Sequence, residues 1–247
     1  LSRQYSGIYY ALGVHPWWLA ELQLESATAQ YALREQLSAL LAAAGNECVA
    51  LGETGLDKTI NTPLSLQQAL LLLHIDLANQ FHLPLIIHSV KTHNEILACF
   101  KQQPPRYGGV IHAFSGSLEM AQQFIARGFL LGVGGTITYE RAQKTRATFS
   151  KIPLQYLLLE TDAPDMPVCG KQGERNSPEY LPLIAQTLAG LQGLSIEQVA
   201  QIILLDGTLQ HRDAAAFEVQ YRGQMQPFAA VQLRPAVQRR HLVEIQG

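Results

Sequence analysis

Four polar side chains, Glu53, His88, His112 and Asp162, each stand at the C-terminal end of an apolar run: CVALG, LPLII, GGVI and YLLLE followed by Thr161. Imidazole and carboxylate together suit Zn²⁺, Mn²⁺, Fe²⁺, Co²⁺ or Ni²⁺. Carboxylates alone would favour Mg²⁺ or Ca²⁺. Two histidines and two acids bind one metal, or part of a pair ~3.5–4 Å apart, and such a centre lowers the pKa of bound water to ~7 and polarises a phosphoryl or carbonyl oxygen. A carboxylate such as Asp162 then takes the proton of that water and passes it to the leaving group. Taken singly, a histidine after a strand is more often packed, and an acid there more often caps the next helix. Four at strand ends resist that explanation.

Distances of 35, 24 and 50 residues separate the four, so the fold must bring them together. Strands are expected at Ile8–Gly13, Cys48–Gly52, Leu83–Ile87, Gly109–Ile111, Phe129–Val133 and Tyr156–Leu159, apolar on both faces as buried parallel strands are. Helical patterns lie between and after them, at Ala29–Ala44, Ser65–Phe81 with Ser65 as N-cap, Lys91–Lys101, Ser117–Arg127, Arg141–Ser150, Pro178–Leu191 and Ser195–Leu205, the last opened by a capping signal at Ser195 with Glu197-Gln198. Strand–helix repeats give a doubly wound sheet or a barrel, and in a barrel every strand's C-terminal end faces one mouth. A (β/α)₈ barrel typically needs ~250 residues. Six units plus a tail is two units short. No GxGxxG turn follows a strand, which argues against a Rossmann dinucleotide site.

Composition narrows the partners. Of 247 residues 47% are apolar and 15% charged, and the formal net charge is −2, so no global basic field holds nucleic acid. Any such substrate is held locally, by metal and a few basic groups. Cys48, Cys99 and Cys169 are scattered and odd in number, which fits a reducing, cytoplasmic setting. No apolar run is long enough to span a bilayer, so no membrane partner is expected. From Asp206 the chain becomes rich in Gln and Arg, and residues 206–247 are read as a divergent tail after a barrel region of residues 1–205.

The pieces around the four residues resemble the TatD family of metal-dependent hydrolases: ALGVHP at Ala11–Pro16, ALGETGLD at Ala50–Asp57, LPLIIHS at Leu83–Ser89, GVIHAFSGS at Gly109–Ser117 and LLLETDAPDMP at Leu157–Pro167. GVGGTITY at Gly132–Tyr139 and KTR at Lys144–Arg146 are most like its YjjV-like branch. The resemblance implies a TIM barrel with two divalent metal ions (Zn, Mn, Mg, Co or Ni), and phosphodiester cleavage, with a DNA 3′ end as the substrate. It implies that Glu53 bridges the metals, that His88 and His112 hold one, and that Asp162 holds the other and shuttles the proton. His15, Lys91 and Ser115 are the expected substrate contacts: His15 ends the first visible strand, as a phosphate contact or a structural hydrogen bond, Lys91 substitutes as a phosphate contact for an Arg that the family carries after IIHS, where this chain has Val90, and Ser115 with Gly116 offers backbone N–H groups to a phosphate. Asp57 and Glu160 are expected to orient ligands. The chain is expected to be a monomer.

The sequence also departs from the family. No His-x-His occurs, whereas the family opens with one on its first strand and uses both as ligands. The reading is an N-terminally incomplete barrel, or a degraded or frameshifted gene, in which the His88/Glu53/His112 metal survives best. Two other functions stand beside phosphodiester hydrolysis: amide or lactone hydrolysis of the amidohydrolase kind, and an inactive remnant that still binds metal. The first often places a carbamylated Lys between its metals, and no Lys ends a strand here. The second follows from six strands leaving exposed sheet edges.

Overall fold

A computed structural model describes residues 8–206; the tail reading from position 207 onward lies outside the described residues. Two compact units divide the chain between Gly109 and Val110.

In the first unit, β1 (Tyr10–Leu12), β2 (Cys48–Asp57) and β3 (Leu85–Val90) are neighbours in chain order and run parallel. The links carry a 3-10 turn at Pro16–Trp18 and the helices α1 (Ala27–Ala42) and α2 (Leu64–Phe81), and α3 (His93–Gln102) follows β3. Parallel strands need such crossovers. Leu51, Leu56, Leu70, Leu71, Ile75, Leu85 and Ile87 are fully buried between strands and helix, which is why these strands read as continuous apolar runs.

In the second unit, β4 (Gly109–Ile111, across the division), β5 (Phe129–Val133) and β6 (Leu157–Leu159) are neighbours in chain order, with β5 and β6 parallel. Helices α4 (Leu118–Ile125), α5 (Gln143–Phe149), α6 (Leu181–Gln192) and α7 (Ile196–Asp206) accompany them. Phe114 meets Phe124 and Phe149 edge-to-face, with centroids 6.3 and 6.2 Å apart, a favoured aromatic geometry.

The elements match the expected ones, with shifted ends. Helix α2 begins at Leu64 after Pro63, not with Ser65 as cap, and α1 starts on Ser26, whose side chain accepts from Ala29 N. At α7 the capping signal is complete: Ser195 Oγ accepts from Gln198 N and Gln198 Oε1 accepts from Ser195 N. The largest difference is β2, which runs on to Asp57. Glu53 is therefore inside a strand rather than at its end, and His88 likewise lies within β3.

His74 of α2 ties that helix to the residue before His15. Its Nε2 accepts the N–H of Val14 at 3.0 Å, and its Nδ1–H donates to the carbonyl of Leu70 at 2.7 Å. The bond from Val14 requires the neutral ring, and burial pushes its pKa down to about 4. The unfolded chain takes up a proton near 6.5 while the folded chain resists it to about 4, so stability present above 6.5 is lost as pH falls through that window. Urea melts at pH 7 and pH 5 should show the parent losing about 2 kcal/mol more than His74→Gln. Equal losses would refute the assignment.

Candidate metal centre

Glu53 and His88 arrive from adjacent strands. The register of β2 on β3 shifts between Leu51 and Thr54, so Glu53 lies inside the irregular stretch, and such shifts re-aim a side chain. The strands approach closely because two glycines permit it. A Cβ on Gly55 would lie 2.0 Å from the His88 carbonyl oxygen, and one on Gly52 2.6 Å from that of Ile86. Both glycines have φ values near +149°, which L side chains rarely adopt. Glu53 Oε1 then lies 2.9 Å from His88 Nδ1 and 3.6 Å from His15 Nε2. His15, Glu53 and His88 are all buried, and a ligand atom from each lies within 4.8 Å of the others.

What fixes the His88 ring is Asp57, at the end of β2. Its Oδ2 lies 3.2 Å from His88 Nε2 and also accepts the indole N–H of Trp17 at 2.8 Å. Its Oδ1 accepts the N–H and the hydroxyl of Thr59. Burial alone would raise the Asp57 pKa, but the hydrogen bonds from Thr59, Trp17 and His88 outweigh it and hold the carboxyl at about 2. An ionised Asp57 keeps the proton on Nε2. Nδ1 is then left facing Glu53, and two such acceptors at 2.9 Å are held together by a proton or by a cation. That is the arrangement of a metal-ligating histidine backed by a carboxylate. Gln67 of α2, also buried, brackets the Asp57 main chain by accepting its N–H at 2.7 Å and donating to its carbonyl at 3.1 Å.

His15 plays a different part from His88. It caps the Pro16–Trp18 turn, its Nδ1 accepting the main-chain N–H of Trp17 at 3.2 Å. That bond uses the Nδ1 lone pair, so the proton of the neutral ring sits on Nε2. His15 thus faces Glu53 as a donor. It becomes a ligand only by moving that proton to Nδ1 and giving up the cap.

The second unit repeats the carboxylate backing. His112, just after β4, has Nδ1 2.7 Å from Glu160 Oε2 and Nε2 3.1 Å from Asp162 Oδ1. Glu160 also accepts the Ala113 N–H at 2.6 Å through Oε1. Room for its carboxylate comes from Gly132, where a Cβ would sit 2.5 Å from Glu160 Oε1. Asp162 lies in the loop after β6, and the buried Asn176 holds that loop by donating to the carbonyls of Thr161 and Asp165. Lys91 and Ser115 are exposed, and their side chains make no hydrogen bond among the described residues.

The structure therefore joins Glu53 with His88 and His15 in the first unit, and His112 with Asp162 in the second. Asp57 and Glu160, expected from sequence to stand behind ligands, contact His88 and His112 respectively. Trp17, Thr59, Gln67 and Asn176 escaped it. Thr59, two residues after an Asp, is a local signal for capping that carboxylate, whereas a buried Gln on a helix and a buried Asn in a loop announce nothing in sequence.

The profile of the family described as TatD related DNase matches residues 1–205. The uncharacterized metal-dependent hydrolase YjjV of Escherichia coli (strain K12) is 42% identical over 205 residues, covering 83% of this chain and 76% of that one. The crystal structure of YjjV, a TatD homologue from E. coli K12, superposes with a TM-score of 0.75 at 40% identity, covering 85% of this chain and 78% of the other. The 3′-5′ ssDNA/RNA exonuclease TatD of Shigella flexneri serotype 5b is 32% identical over 201 residues, or 78% of this chain and 74% of that enzyme. This chain belongs to the TatD family of metal-dependent hydrolases. Its fold is accordingly the α/β barrel of that family, with six strands among the described residues.

Removing the orienting carboxylates should loosen metal without emptying the fold. Asp57→Asn and Glu160→Gln are each expected to lower Zn²⁺ affinity about 10- to 100-fold in calorimetric titration. Gly132→Ala, which crowds Glu160, should act in the same direction. Unchanged affinity in all three would show that the carboxylates orient nothing a metal needs.

Proposed function

We propose that the chain is a divalent-metal-dependent phosphodiesterase that trims single-stranded nucleic acid from its 3′ end. The observation that carries this reading is the twofold occurrence of a histidine fixed on one nitrogen by a carboxylate and facing a second carboxylate with the other. The residues fit divalent metal: imidazole and carboxylate donors, already oriented, and buried in the first unit. We take Glu53 and His88 as ligands from the first unit and His112 and Asp162 from the second, for two ions. The Shigella relative's name supports the substrate and the direction.

A divalent ion at such a donor set supplies polarisation of a phosphoryl oxygen and activation of water near neutral pH. The chain's own groups do the rest. Asp57 and Glu160 hold the two imidazoles. His15 offers its Nε2–H to an anionic phosphoryl oxygen. The Asp162 carboxylate accepts the proton of the attacking water and returns it to the leaving oxygen. Lys91 and Ser115, both exposed, contact phosphates along the strand. Three free cysteines suit a reducing compartment such as the cytoplasm, and no helix among the described residues is long and apolar enough to cross a membrane.

With Mn²⁺ or Zn²⁺ present, the chain should release mononucleotides from the 3′ end of a 5′-labelled single-stranded oligonucleotide. Glu53→Ala and His112→Ala should bring that rate to the enzyme-free background. Equal rates for the parent and Glu53→Ala, or turnover of amide and lactone substrates alone, would overturn the proposal.

A further inference from the structure

Few large apolar side chains are exposed among the described residues, and one of them stands on the His15–Glu53–His88 group. Trp17 is 50% exposed, yet its ring is not loose. The indole N–H donates to Asp57 Oδ2 at 2.8 Å. The ring meets His15 edge-on, with centroids 4.9 Å apart and planes at 85°, and His88 at 6.0 Å and 76°. Leaving an indole half in water forgoes much of the largest apolar burial any side chain provides. Anchoring it by its polar end while its apolar body stays accessible is what an aromatic recognition surface requires.

We propose that Trp17 is a stacking platform for a nucleobase of the substrate, the base next to the phosphate held at the His15–Glu53–His88 group; this rests on the nucleic-acid reading above. Three physical points support it. The ring is already immobilised, so stacking on it costs little further side-chain entropy. Every base has a π-face, so one indole accepts any of them, as a trimming enzyme needs. And a chain of net charge −2 has no global basic field to hold a strand by its backbone, which leaves more of the binding to local contacts, those with the bases among them. Trp17 also reaches both histidines by separate donors, its main-chain N–H to His15 and its indole N–H through Asp57 to His88, so the stacked base and the oriented imidazoles share one support.

The test compares dAMP with 2-deoxyribose 5-phosphate, the same phosphate without the base, on the full chain in the presence of Zn²⁺. The expected result is tighter calorimetric binding of dAMP by about 5- to 100-fold, the scale of base–aromatic stacking, with quenching of tryptophan fluorescence by dAMP only. Trp17→Ala should abolish the preference, so that the two phosphates bind with equal affinity, while Zn²⁺ binding weakens as it does in Trp17→Phe, since both variants lose the donor to Asp57. Trp17→Phe, which keeps a ring but loses the donor to Asp57, should retain most of the preference while Zn²⁺ binding weakens. Equal affinity of the two phosphates for a parent chain that still trims 3′ ends would overturn the stacking role alone. Absence of binding by both would overturn the nucleic-acid reading and this inference with it. Should Trp17→Ala fail to fold, the preference and quenching in the parent, with Trp17→Phe, still decide.

Discussion

A buried imidazole has two nitrogens and must find a partner for each. His88 meets this demand with two carboxylates, Glu53 on one side and Asp57 on the other. Much of the first unit follows from that pairing. Asp57 must stay ionised at 1% exposure, so it is surrounded by donors from Thr59, Trp17 and His88 itself. Its main chain must not shift, so Gln67 reaches across from α2 to bracket it. The strands carrying Glu53 and His88 must lie close, so glycines occupy positions 52 and 55. The same demand shapes the second unit, where Glu160 holds His112 and a glycine at 132 makes the room.

A histidine gripped in this way is an oriented lone pair, which is what a cation needs from its ligands. The burial penalty on ionised groups is offset by hydrogen bonds made before any metal arrives, so binding does not have to organise the donors. The contrast with His15 is instructive. By type, burial and distance it would pass for a third ligand beside Glu53 and His88, yet its other nitrogen is engaged by a main-chain donor rather than by a carboxylate. The partner on the far side of the ring, and not proximity, sets His15 apart from His88.

The sequence displayed the elements well and made the four proposed metal-centre residues conspicuous, because strand runs are apolar on both faces and the polar residues interrupt them. It displayed the ends of elements poorly. ETGLD after CVALG contains two carboxylates and a glycine, a pattern that reads as a strand ending, but tertiary pairing with β3 carries the strand on to Asp57. Local propensity is weak against such pairing. Asp57 and Glu160 stood out as candidate orienting groups because each is an acid a few residues from a proposed acidic ligand, Glu53 or Asp162. Gln67 and Asn176 were not, since their value lies in carbonyls and N–H groups 10 and 15 residues distant, and an amide side chain carries no sign of which main chain it will meet.

The cap on His15 has a consequence for how this site can vary. Because the tautomer is set by a peptide N–H, it is indifferent to which of nineteen side chains follows Pro16. Drift at position 17 can strip away the indole, and with it the contact to Asp57, while the proton on His15 stays where it is. Only an imino acid there would erase it. One part of the site's chemistry is thus written in the covalent backbone, where ordinary substitution cannot reach it, and the part beside it is left open to change.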